Sequence, residues 1–254
     1  MIQDAKTRER ILMAARDEFS HLGYRGARMA AIAERAGINK ALIHYYFENK
    51  EKLYAEVIKL VFGNSSEDDI PLYPGHWDLT CAQKLYACLY CFREMHVDPR
   101  NLKVMRISFW EFLEQSAHLN SIIEGITWPQ HRLLTRIIEE GIERGEFNPV
   151  DTHLLSMNIL SFIGLHGMNV SILADTDYYK NYLGKYDESH VLEFVFRLSI
   201  SYLTGESSST DVPDLPPDLT ELIDRQLAYF FEGNREGMFH FMTGQLADIL
   251  LEGK

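Results

Sequence analysis

Residues 28–53 decide how this chain is read: Arg28-Met-Ala-Ala-Ile-Ala-Glu-Arg-Ala-Gly-Ile-Asn-Lys-Ala-Leu-Ile-His-Tyr-Tyr-Phe-Glu-Asn-Lys-Glu-Lys-Leu53. The stretch predicts two short helices joined by a glycine turn, then a new helix. Ile32, Ala33 and Ala36 set apolar and small groups on one face of the first. Gly37 supplies the left-handed backbone that a sharp helix-to-helix turn requires. Asn39 is a good N-cap for the second helix, which carries Lys40, His44, Tyr45 and Tyr46. Two helices so joined form a helix-turn-helix, whose second helix is built to enter a major groove.

Upstream, Ile11, Leu12, Ala15, Phe19 and Leu22 recur at helical spacing and predict a first helix over residues 4–22, ended by Gly23. Downstream, a helix from Lys50 carries Leu53, Val57, Ile58 and Val61. The prolines and Ser/Gly residues of 63–79 break the pattern. Helices then follow at about 80–96, 99–118, 128–145, 152–174 and 188–204, with the segment before 128 and the stretch 178–186 read as loops. Residues 205–218 have linker composition, and two further helices over 219–232 and 235–251 close the chain. No alternating strand pairs occur. The expected architecture is all-α, with a three-helix head over 1–50, a larger helical body over 51–204, a linker over 205–218 and a C-terminal extension over 219–254.

The head's residues resemble the DNA-binding signature of the TetR family of bacterial transcriptional regulators. The matching elements are Ile32-Ala33, Ala36-Gly37-Ile38-Asn39, Ile43-His44-Tyr45-Tyr46-Phe47 and Lys50-Glu51-Lys52-Leu53, with Arg10-Ile11-Leu12, Ala14-Ala15, Phe19 and Gly23-Tyr24 upstream. The resemblance covers about residues 6–60. It implies that Arg28, Lys40, Leu42, His44, Tyr45, Tyr46 and Lys50 face duplex DNA. Tyr45 reaches into the groove, and His44 and Tyr46 flank it on the backbone. Three positions depart from the family pattern. Arg28 stands where Thr is usual at the N-cap, Leu42 replaces a small or polar residue, and His44 replaces the first tyrosine. Ala30 and Ala31 sit where some relatives carry base-reading side chains.

Charge distribution fits the same picture. The chain carries a net charge of -12. Residues 1–62 hold eleven Lys and Arg against eight Asp and Glu, a net +3, which leaves fourteen against twenty-nine, or -15, in the rest. A basic head meets phosphates and an acidic body is repelled by them, which sets a docking orientation.

Large soft side chains concentrate in the body: Phe109, Trp110, Trp128, His131, Phe162 and His166 are the candidate lining of a small-molecule site for an apolar or aromatic effector. By the resemblance, such an effector shifts the fourth helix and releases an operator bound by a homodimer. The helices at 152–174 and 188–204 are the dimer candidates. The former carries Ser156, Ser161, Gly164 and Gly167, small residues that permit close approach. The alternative is a DNA-binding protein whose body and C-terminal extension bind another protein without small-molecule control.

Other classes find little support. No Gly-x-Ser-x-Gly, nucleotide-binding glycine loop or His-Glu-x-x-His is present, so no enzyme is expected. Cys81, Cys88 and Cys91 share one helix face and cannot complete a tetrahedral metal site alone, so neither metal nor cofactor is expected. No apolar run approaches the ~20 residues of a membrane helix. The N-terminus lacks a signal-peptide layout, so a cytoplasmic location is expected.

Overall fold

The computed structural model describes residues 2–62, 77–97, 102–116, 118–205, 211–231, 246 and 248–252. Every regular element among them is helical. The chain divides into two compact units. One comprises Met1–Asn64 with Lys103–Gly125, the other Ser65–Leu102 with Ile126–Lys254.

The N-terminal unit opens with α1 (Ile2–Gly26), which is interrupted at Gly23, where φ is 65° and ψ is 178°. A Cβ at this position would lie 2.9 Å from Cδ2 of Trp110, so both the backbone and the neighbour demand glycine. The interruption turns Leu22 out of the core, and it is largely exposed rather than on the buried face its spacing predicted. Ile11, Leu12, Ala15 and Phe19 are buried as expected. Next come α2 (Met29–Ala36), α3 (Lys40–Phe47) and α4 (Lys50–Phe62). Gly37 sits at φ 64°, ψ 41°, and its N–H donates to Glu34 O at 3.0 Å.

The head also takes in a segment that the sequence placed in the body. In α6 (Leu102–Glu114), Lys103 pairs with Asp17 of α1 at 2.6 Å, and the buried Glu111 accepts a hydrogen bond from the Tyr54 hydroxyl of α4. Ser116 donates to the other Glu111 oxygen. Burial raises the Glu111 carboxyl, and the Tyr54 bond opposes that rise. Tyr54 packs edge-on against Phe19 at 4.6 Å. Residues 119–127, expected as loop, are helical: α7 (Leu119–Ile122) continues as a π turn over Ile123–Thr127.

In the second unit, α5 (Cys81–Val97) packs against α8 (Trp128–Glu143), α9 (Thr152–Leu173), α10 (Glu188–Thr204) and α11 (Pro217–Phe231). Leu85, Leu89, Phe92, Ile137, Ile138, Ile163 and Phe196 are buried in its core. All three cysteines are fully buried. Burial pushes their thiols up, Cys81 to about 11, which leaves little thiolate at neutral pH. Gly145, at φ 72°, begins a turn that folds Phe147 back onto Gly141, where an added Cβ would meet the ring at 2.0 Å.

Two sequence expectations change here. Ser156, Gly164 and Gly167 of α9 serve contacts inside the chain, while Ser161 is exposed. Ser156 is buried beside Thr135 at 3.2 Å, and a Cβ on Gly167 would lie 2.5 Å from His96 O, so the small face admits α5 and α8. The C-terminal extension is not a free appendage. Leu219, Leu222, Ile223 and Leu227 of α11, with Leu246, Ile249 and Leu250, belong to the body's core. Its polar side is tied down by Trp77 Nε1 donating to Asp218 at 2.9 Å and the Tyr90 hydroxyl to Asp224 at 2.7 Å. The stretch 178–186 contains a π turn over Tyr179–Leu183. The loop at 63–76 and most of the expected helix at 235–251 lie outside the described residues.

Candidate nucleic-acid interface and the recess in the body

The recognition candidate α3 is held from beneath and left open above. Ile43 and Phe47 are buried, and the Asn39 side chain caps the helix by accepting from Ala41 N–H at 2.9 Å. Arg8 lies over the Phe47 ring at 5.3 Å and pairs with Glu56 at 2.5 Å, closing the lower face. With that face fixed, the remaining residues project outward at helical spacing.

Among them Tyr45 is 76% exposed, and Lys40 and His44 are exposed while Leu42 is half-buried. Arg28 is exposed at the N-cap of α2 in extended backbone, and its side chain makes no cap bond. Neither Arg28 nor Lys40 has an ion-pair partner among the described residues. His44 Nδ1 lies 2.8 Å from Glu48 O, which orients the ring. Tyr46 stands edge-on to Tyr45 at 5.3 Å and donates its hydroxyl to Asp4, whose carboxylate holds the phenol above its usual range. It is therefore tied to α1, and no pattern in the sequence signals that link. Lys50 differs from the other cations. Its ammonium reaches Arg25 O at 3.3 Å and lies 4.7 Å over the Tyr24 ring, and burial lowers its pKa while Glu114 opposes the shift.

Arginine, lysine, imidazole and phenol donors suit phosphate oxygens, and an exposed ring edge suits a thymine methyl. The exposed set Arg28, Lys40, His44 and Tyr45 offers both kinds of group.

The six candidate effector residues are divided between the two units. Phe109 and Trp110 belong to the N-terminal unit, where Phe109 is exposed and Trp110 covers Gly23. The other four belong to the body. There Trp128 stacks on His131 at 5.8 Å, and His131 stacks on His153 at 5.3 Å. Trp128 is largely exposed, so this is a surface stack rather than a cavity wall. Phe162 stacks on His166 at 6.4 Å and leans on Phe194 at 5.9 Å. His166 borders an open recess of about 430 Å³, with Arg93, Tyr179, Tyr186 and Asp187 also in its walls. Arg93 was not foreseen; nothing local in α5 distinguishes it from a solvated arginine.

A helix-turn-helix with an open polar and aromatic recognition helix, in a chain whose described elements are all helical, defines a DNA-binding transcriptional regulator. Residues 11–57 match the model of the bacterial regulatory proteins of the tetR family. The chain is 36% identical over 148 residues to the HTH-type transcriptional repressor NicS of Pseudomonas putida, covering 57% of this chain and 68% of that one. It belongs to the TetR family. It is also 47% identical over 51 residues to the HTH-type transcriptional regulator RutR of Escherichia coli, covering 20% of this chain. That match spans 24% of RutR, about a quarter of its length. Among solved structures, a tetR-family regulatory protein from Rhodococcus RHA1 shares the fold with a TM-score of 0.55 at 24% identity, over 78% of this chain and 97% of that one. No helix among the described residues is long and apolar enough to cross a membrane.

Proposed function

We propose that the chain is a ligand-controlled repressor that binds a palindromic operator as a homodimer. The observation that carries this is an apolar face on α9 and α10. Leu154, Met157, Leu165 and Ile172 follow one another along α9, and Phe194, Leu198 and Tyr202 along α10; all seven are largely exposed. Their spacing places each set on one stripe of its helix. Scattered apolar residues need no partner, but two contiguous stripes on neighbouring helices do. A second copy of the same chain meets that need with two-fold symmetry, and two heads then address two half-sites about 34–36 Å apart. The stripe also admits a different protein. For that second reading α11 offers less, because its Leu219, Leu222, Ile223 and Leu227 are buried in the body's core.

Control by a ligand rests on the recess in the body and on the composition of the N-terminal unit. The chain passes between the units after Asn64, Leu102 and Gly125. The Tyr54–Glu111 hydrogen bond links α4 to α6 within the N-terminal unit, a connection through which a displacement of α6 could reach the head. By thermodynamic reciprocity, an effector that weakens operator binding must itself bind more weakly to the operator complex by the same factor, typically about 5–150-fold. Titrating the effector against free and operator-bound protein tests this. Equal affinity in the two titrations contradicts ligand control.

A further inference from the structure

Asp4, Thr7 and Arg8 follow one another at i, i+3 and i+4 on α1, so their side chains share one face of that helix. The same three residues meet α3. Arg8 lies over the Phe47 ring. Asp4 accepts a hydrogen bond from the Tyr46 hydroxyl, and Thr7 is a second hydrogen-bond partner of that hydroxyl. Tyr46 itself is half-buried.

This arrangement changes what Tyr46 can do. A phenol carries a single O–H donor, and phosphate oxygens only accept. The donor of Tyr46 is given to Asp4, and a hydrogen bond to a carboxylate is among the stronger kinds. A phosphate brought to the same hydroxyl would set two anions competing for one proton, at the cost of their mutual repulsion. What Tyr46 still offers is its ring. Tyr45, 76% exposed, stands edge-on against it with centroids 5.3 Å apart, an arrangement that aromatic pairs favour. An exposed tyrosine loses rotamer freedom when it enters a groove, and a ring already braced loses less.

We infer that Asp4 is a positioning residue for DNA reading: it fixes Tyr46, whose ring braces Tyr45 for the groove, so Tyr46 serves discrimination between sequences rather than affinity for phosphate. This rests on the reading of Tyr45 as the groove contact.

The test uses the full-length protein, a consensus duplex selected from a random pool and a scrambled duplex of equal length, and reads the ratio of the two affinities. Tyr46→Phe removes the hydroxyl and keeps the ring, and Asp4→Ala removes the acceptor. Each is expected to lower the ratio by about three- to tenfold, the scale of one hydrogen bond, through the consensus duplex alone. The double variant should lower it no further than either single one, because both act through one bond. In a Tyr45→Ala background neither should change the ratio. Asp4→Asn, which keeps an acceptor oxygen, should recover most of what Asp4→Ala loses. A folding defect lowers both affinities together and leaves the ratio, so it does not mimic the effect. Tyr46→Phe weakening both duplexes alike, with Asp4→Ala weakening neither, would make Tyr46 a phosphate contact and overturn the inference. Additive losses, no recovery with Asp4→Asn, or a ratio that Tyr45→Ala lowers and both single variants leave unchanged would overturn it too, with the groove reading still standing. A ratio unchanged by Tyr45→Ala contradicts the groove reading itself, and the inference with it.

Discussion

The outer face of α3 and the outer face of α9 are both exposed, and they are exposed for different reasons. On α3, Tyr45, His44 and Lys40 are polar or amphipathic and stand in water at little cost, while Ile43 and Phe47 anchor the helix below. On α9, Leu154, Met157, Leu165 and Ile172 are apolar and gain by being covered. Each large side chain transferred from water contributes about 1.5–3 kcal/mol. The first surface is thus suited to a charged, hydrated partner and the second to a protein-like one. Substitutions on the two faces should fail in separable ways, and a third set, inside the body, should affect folding alone.

The largest effect is expected inside. Ile223 is fully buried on α11, so Ile223→Ala should cost about 2–5 kcal/mol of stability. Thermal or denaturant unfolding checks this. A loss below about 0.5 kcal/mol would mean that the C-terminal helix is an appendage after all, and the rival protein-binding reading would regain its ground.

On the apolar stripe, Leu198→Glu places a charge where the second copy is proposed to sit, while leaving the monomer's core intact. Sedimentation should show a monomer, and operator affinity should fall by about a hundredfold because each head then binds alone. An unchanged dimer would move the interface elsewhere.

On the polar face the effects are smaller and concern salt. Lys40→Ala should lower the slope of log affinity against log salt by about one unit, as expected for one lost phosphate contact. Lys50→Ala should lower it by less, because its ammonium is engaged with Arg25 O and the Tyr24 ring. Equal slopes for the two variants would show that Lys50 swings out onto the phosphates.

The head was legible in the sequence because its determinants are local. Gly37, the Asn39 cap and the Ile43/Phe47 spacing lie within a dozen residues, and each performs the role its chemistry implies. The body was less legible because its determinants are distant. Nothing near Gly167 says that His96 will press against it, and the choice between α9's small face and its apolar face is made by α5 and α8. The linker-like composition of 205–218 hid the fact that α11 completes the core. The place of Trp110 against Gly23, far upstream, is likewise set by a distant neighbour. The Tyr46–Asp4 link also depends on a partner that spacing does not reveal.

Selection of bound duplexes from a random pool, followed by sedimentation of the complex, addresses the proposed function as a whole. The expected product is a palindrome with half-sites one helical turn or a multiple apart, occupied by two chains or a multiple of two. Tyr45→Ala should weaken binding to that sequence by about ten- to a hundredfold while leaving random duplex nearly unaffected, because a groove contact carries the discrimination. Recovery of no consensus, or a specific complex containing a single chain, would contradict a dimeric regulator that reads DNA through α3.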